Sequence, residues 1–224
     1  MRRFLRNNGL SIVLLALFVA CWTGQALAGW LHHNDERAQH HEHALALAEY
    51  LQSGDFLEAT FENWESEFFQ MAAFLILSSV LVQRGAAESR RPGNENEQED
   101  DAEEAGLRKP PRDAPGPVRR GGLALTLYSR SLSIALGGLF IVTFAMHGVC
   151  GQRRFNQDAV AHGAHTTTVV GYMTSSTFWF ESFQNWQSEF LSVAALVLLS
   201  IYLRQKGSPE SKSVHAPHSQ TGSE

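Results

Sequence analysis

Four polar residues stand at the edges of apolar runs: Gln25, Glu67, His147 and Glu189. Glu67 lies in Phe61-Glu-Asn-Trp-Glu-Ser-Glu-Phe68 and Glu189 in Phe183-Gln-Asn-Trp-Gln-Ser-Glu-Phe190. Each block opens a charge-free stretch, 68–83 and 190–203. A carboxyl held in such a place can relay protons, and a Glu/Glu/His set can hold a divalent metal. On a helix of 3.6 residues per turn, Asn63, Ser66 and Glu67 fall near one line, as do Asn185, Ser188 and Glu189. A polar line on an apolar helix should face protein or water. The competing role is structural, with hydrogen bonds fixing pairs of helices. Trp64 and Trp186 sit where amphipathic rings would mark a membrane interface.

The histidines suggest a second chemistry. His40 and His43 are three apart, and so are His162 and His165. On helices each pair would share a face and could ligate zinc or copper. The alternative is a solvated, pH-sensitive loop.

These residues need elements to position them. Only 18% of the 224 residues are charged, against about 25% in a typical soluble domain. The deficit is local. Residues 9–31 and 131–152 contain no Asp, Glu, Lys or Arg, and each run exceeds the roughly 20 residues that cross about 30 Å of hydrocarbon. The two shorter runs at 68–83 and 190–203 would suit buried helices as well.

An internal repeat decides between those readings. Shifted by 122 positions, the chain matches itself without a gap from about Leu10 to Ser89. Gly29, Asn34, His40, His43, Tyr50, Ser53 and Phe56 meet Gly151, Asn156, His162, His165, Tyr172, Ser175 and Phe178. The expected fold is an all-α membrane protein with four transmembrane helices, as two tandem parallel two-helix repeats. Repeat 1 covers 10–90, with spans at about 10–29 and 64–83. Repeat 2 covers 123–206, with spans at about 131–151 and 184–203. An N-terminal tail (1–9), a disordered linker (91–122) and a disordered C-terminal tail (207–224) complete the chain.

Fifteen of the eighteen Lys and Arg fall in the N-terminal tail, in the linker with its flanks from Arg84 to Arg130, and in the C-terminal tail counted from Arg204. The positive-inside rule then puts both termini in the cytoplasm and the two repeat loops outside. Ala26-Leu27-Ala28 offers a signal-peptidase pattern, but the matching run in the second copy is internal, which favours a retained span.

Several classes are excluded. Two Cys cannot build a disulfide scaffold, and a pI near 6.1 argues against a nucleic-acid binder working by bulk charge. No Ser/His/Asp set, phosphate loop, CxxC pair or H-E-x-x-H occurs, and no cofactor is implied.

The blocks at 56–90 and 178–212, together with Gly24-Gln-Ala-Leu27, resemble an uncharacterised family of bacterial integral membrane proteins, a domain of unknown function. The resemblance implies a bacterial membrane location and carries no activity. The expectation is a non-enzymatic inner-membrane protein that acts through packing, partners or envelope organisation in the lipid bilayer. The alternative is a small proton, ion or solute transporter using Glu67 and Glu189, which with so few spans would work as a homo-oligomer.

Overall fold

A computed structural model of the chain describes residues 2–89 and 114–222. The expected linker falls largely outside these, including its acidic run at 94–104. The described residues form helices and turns without a strand. In chain order the helices are α1 (Arg2–Asn7), α2 (Gly9–Gln39), α3 (Leu47–Tyr50), α4 (Gly54–Val80), α5 (Gly116–Arg120), α6 (Gly122–Ser129), α7 (Ser131–Ala161), α8 (Val169–Met173) and α9 (Ser176–Tyr202).

Two helices, α2 and α7, are long and apolar enough to cross a membrane. Each has 31 residues, or about 46 Å at 1.5 Å per residue. α2 continues unbroken through Ala26-Leu27-Ala28, and Ala26 is buried against Tyr50 and Phe56. α4 and α9 have 27 residues each. They begin well before the positions read from the apolar runs, because the Ser53 and Ser175 hydroxyls accept from the Phe56 and Phe178 amides at 3.3 Å and start each helix early. They stop at Val80 and Tyr202, short of residues 83 and 203.

The chain forms two compact units. The first comprises Met1–Phe61 and Met146–Phe178. Its two loops are tied by the same device, 122 positions apart. Asn34 donates to the Leu45 carbonyl at 3.0 Å and accepts from the Leu45 amide at 2.8 Å. Asn156 does the same with Thr167 at 2.9 and 2.8 Å. Trp30 and Gln152 each add a bond to those carbonyls at 2.8 Å. Each loop turns through a left-handed residue, His41 (φ 59°) in the first and Gly163 (φ 68°) in the second.

The second unit comprises Glu62–Ala145 and Trp179–Glu224. Phe69, Phe140, Trp186 and Phe190 form an aromatic cluster, with the Phe69 centroid 4.5 Å from Trp186 and 5.0 Å from Phe140. The segment after Lys206, expected as a disordered tail, forms turns docked on residues 85–87. Lys212 is buried, and its ammonium donates to the carbonyls of Gly85 (2.5 Å), Gln220 (2.9 Å), His218 (3.1 Å) and Ile201 (3.3 Å). Burial, reinforced by the charge of Arg204, pushes that ammonium below its usual pKa. The Gly222 amide donates to the Ala86 carbonyl, and the Gly85 amide to Thr221. A shared sequence, Gln-x-Gly-x-x-Glu-Ser, shapes both segments. The Gln83 amide donates to Ser89 at 2.8 Å and the Gln205 amide to Ser211 at 2.9 Å. Composition alone could not show this docking, because it depends on one lysine satisfying four carbonyls.

Phe56, Tyr172 and Phe178 are buried, but along the long helices many large apolar side chains face outward. Leu10, Val13, Leu14, Leu17 and Phe18 of α2 are exposed, as are Leu132, Ile134, Ile141 and Val142 of α7. The buried side chains include Glu58, Thr60 and His147 in the first unit and Glu65, Ser66, Gln70, Thr143, Ser182 and Ser200 in the second.

Candidate functional site

The first unit holds a charged cluster at the start of α4. Gly54 opens that helix against the backbone of α7, where an added Cβ would lie 2.7 Å from the Arg154 amide nitrogen. This close approach requires glycine and sets Asp55 and Glu58 beside Arg154. The guanidinium bonds Glu58 through Nη1 at 2.5 Å and Asp55 through Nε at 3.2 Å. Tyr172 of α8 donates its phenol to the other Glu58 oxygen at 3.2 Å. His33 of α2 meets the far oxygen of Asp55 at 3.0 Å.

Glu58 is 1% exposed, so its charge needs this pairing. Burial works against the Arg154 charge. The Glu58 bond, with the charges of Glu58, Asp55 and Asp158, outweighs it and holds the guanidinium well above its ordinary pKa. Burial, then the nearby Asp55, pushes the Tyr50 phenol up. His147 is buried, with its ring stacked on Phe178 at 4.6 Å and a ring nitrogen within 4.8 Å of a Glu58 oxygen.

Two tyrosines wall this region in matching ways. Tyr50 lies on Gly29 and Tyr172 on Gly151, and a methyl at either glycine would collide with the phenol. The charges do not match. The positions aligned with Asp55 and Glu58 are Thr177 and Phe180, and those aligned with Arg154 and His33 are His32 and Phe155. The cluster therefore takes its acids from the first copy of the sequence and its Arg154 and Tyr172 from the second.

The residues singled out from sequence are placed as follows. Within the second unit, Glu67 is exposed and lies in Coulombic range of the half-buried Glu189. Asn63 and Ser188 are exposed, Ser66 is buried, and the Ser66 and Ser188 hydroxyls donate to the Asn63 and Asn185 carbonyls at 2.8 Å. The Asn185 amide donates to the carboxylate of Glu62. Trp186 turns inward and donates through Nε1 to the buried Glu65 at 3.0 Å. Trp64 is half-buried. Within the first unit Gln25 is exposed and His147 buried.

The inward line on α4 thus runs through Glu62, Glu65, Ser66, Phe69 and Gln70, rotated from the line drawn through Glu67. His40 and His43 lie past the end of α2, and His162 and His165 past the end of α7, so neither pair shares a helical face. His162 Nδ1 instead contacts the Asp158 carbonyl at 2.8 Å.

The sequence marks Tyr172 only as the partner of Tyr50 in the alignment, and it does not single out Asp55, Glu58, Glu62, Glu65 or Arg154. One signal was present for the charged cluster: charged residues standing where the other copy carries Thr, Phe or His.

A family described as "Domain of unknown function (DUF6766)" matches residues 1–223. The chain belongs to the DUF6766 family. No curated protein and no solved structure matches it. The match covers both loops, the charged cluster and the docked tail, so all of these features lie inside a single DUF6766 domain.

Proposed function

We propose that this DUF6766 chain is a four-span integral protein of a bacterial inner membrane, built from two tandem parallel copies of one two-helix unit. Both termini lie in the cytoplasm. It acts without catalysis, through packing and partners that organise the envelope. The observation that carries the reading is the outward apolar surface of α2, α4, α7 and α9, with Glu58, Glu65, Ser66, Gln70 and Ser182 among the buried side chains. Lipid as solvent rewards that arrangement and water does not. The matching bounds of α2 and α7, and of α4 and α9, support the duplicated unit. The aromatic cluster and the mutually engaged charges support a packed interior.

Reporter fusions at Gln52 and Gly106 test the topology. Opposite sides are expected, and the same side for both would overturn it. Alkaline carbonate washing should leave the chain in the membrane fraction.

A second reading, proton or ion passage at Glu67 and Glu189, is favoured by one observation: the exposed Glu67 carboxylate lies close to Glu189. In proteoliposomes it requires a flux above that of empty vesicles, which Glu67→Gln with Glu189→Gln abolishes. Wild-type flux equal to empty vesicles sinks it.

A further inference from the structure

The two long apolar helices are entered in the same way. A short helix precedes each, α1 before α2 and α6 before α7, and the chain kinks between them at aligned positions. Asn8 has φ −122° and ψ 17°, and Arg130 has φ −115° and ψ 8°. Beyond each kink the ladder resumes alike, with Ile12 and Ile134 amides donating to the Asn8 and Arg130 carbonyls at 3.0 Å.

Both short helices expose large apolar side chains close to arginine, which lies within α1 and on either side of α6. In α1, Phe4 is 65% exposed and Leu5 47%, beside exposed Arg3 and Arg6. In α6, Leu123 is 82% exposed and Leu127 61%, with Leu125 and Tyr128 also exposed. α6 itself has no charge, but exposed Arg119 and Arg120 precede it and exposed Arg130 follows. A soluble surface would not keep such side chains in water. An apolar face bordered by arginine matches the headgroup boundary, where rings and leucines enter the acyl edge and guanidinium groups meet phosphate. Guanidinium pairs with phosphate through two parallel hydrogen bonds.

We propose that α1 and α6 lie in the headgroup layer of the cytoplasmic leaflet and bind anionic phospholipid, Arg3 and Arg6 at the first and Arg119, Arg120 and Arg130 at the second. The proposal rests on the membrane reading above. The kinks are then membrane-surface joints, and each long apolar helix is preceded by its own lipid clamp.

The test uses the full chain with Cys21→Ser and Cys150→Ser and one polarity-sensitive fluorophore on a cysteine at Leu5, Leu127 or Leu14. Each protein is reconstituted in phosphatidylcholine vesicles with and without phosphatidylglycerol, with a neutral aqueous quencher on both faces. At Leu5 and Leu127 the emission should shift to the blue and quenching should fall when phosphatidylglycerol is present. Arg3→Gln with Arg6→Gln should remove that dependence at Leu5. Arg119→Gln, Arg120→Gln and Arg130→Gln together should remove it at Leu127. Emission indifferent to phosphatidylglycerol, or a dependence that survives the Gln variants, overturns the proposal. Leu14 separates the two claims. If Leu14 is shielded while Leu5 and Leu127 ignore the anionic lipid, only the lipid clamp fails. If Leu14 is itself quenched, the membrane reading fails and takes the clamp with it.

Discussion

Arg154 and Glu58 hold one another at 2.5 Å across 96 positions of sequence. The carboxylate is buried, and Tyr172 occupies its second oxygen. A pair of this kind is costly to assemble and costlier to break, because removing one partner strands the other charge.

Arg154→Leu should therefore destabilise the protein in detergent by about 3 kcal/mol, at the low end for buried pairs because 43% of the Arg154 side chain remains exposed. Glu58→Leu in the same chain should recover part of that loss, since neither charge is then stranded. Thermal unfolding of the four corners of this double-mutant cycle measures the coupling. Losses that simply add would mean the pair contributes nothing of its own.

The two Gly–Tyr contacts should respond differently to relief. A Cβ on Gly29 meets the Tyr50 hydroxyl first and the ring carbon next at 3.2 Å. Gly29→Ala should cost about 1–3 kcal/mol by overpacking, and Tyr50→Phe should restore most of it. A Cβ on Gly151 meets Tyr172 ring carbons at 2.6 and 2.8 Å as well as the hydroxyl, so Tyr172→Phe should not rescue Gly151→Ala. Unfolding midpoints of the two double variants distinguish these outcomes.

The docked tail should loosen as pH rises. Burial, then the charge and hydrogen bond of the facing Glu210, push Glu88 above its ordinary 4.5. The folded form therefore holds its proton more tightly than the unfolded one. Its contribution is complete below 4.5 and is lost as pH climbs through the raised value. Hydrogen exchange at residues 205–222, corrected for intrinsic rates, should speed up through that interval, and Glu88→Gln should flatten the response.

His41 has a positive φ, where the aligned residue of the second loop is Gly163. A side chain there costs about 1 kcal/mol. His41→Gly should raise the unfolding free energy by about that amount and leave the Asn34 bonds to Leu45 intact. No gain, or a loss, would show that the imidazole makes up its own strain.

The all-helical character and several local contacts were legible from the aligned positions. Aligning Asn34 with Asn156, and Ser53 with Ser175, anticipates two loops and two helix starts that the structure builds alike. The inward face of α4 was not legible. Glu62, Glu65 and Glu67 fall within six residues, so helical spacing permits more than one polar line, and only Trp186 and Asn185 across the way select Glu65 and Glu62. The charged cluster was hidden for a related reason. Asp55, Glu58 and Arg154 read as ordinary loop charges until Gly54 brings two backbones into contact.

The unequal distribution of charge has a consequence for cutting the chain. Residues 10–89 carry Asp55 and Glu58 without Arg154, and residues 132–211 carry Arg154 without either acid. A fragment holding only the first stretch strands the Glu58 carboxylate, and one holding only the second leaves the guanidinium without its acids. The Arg154–Glu58 bond thus makes each stretch depend on the other for its charge balance.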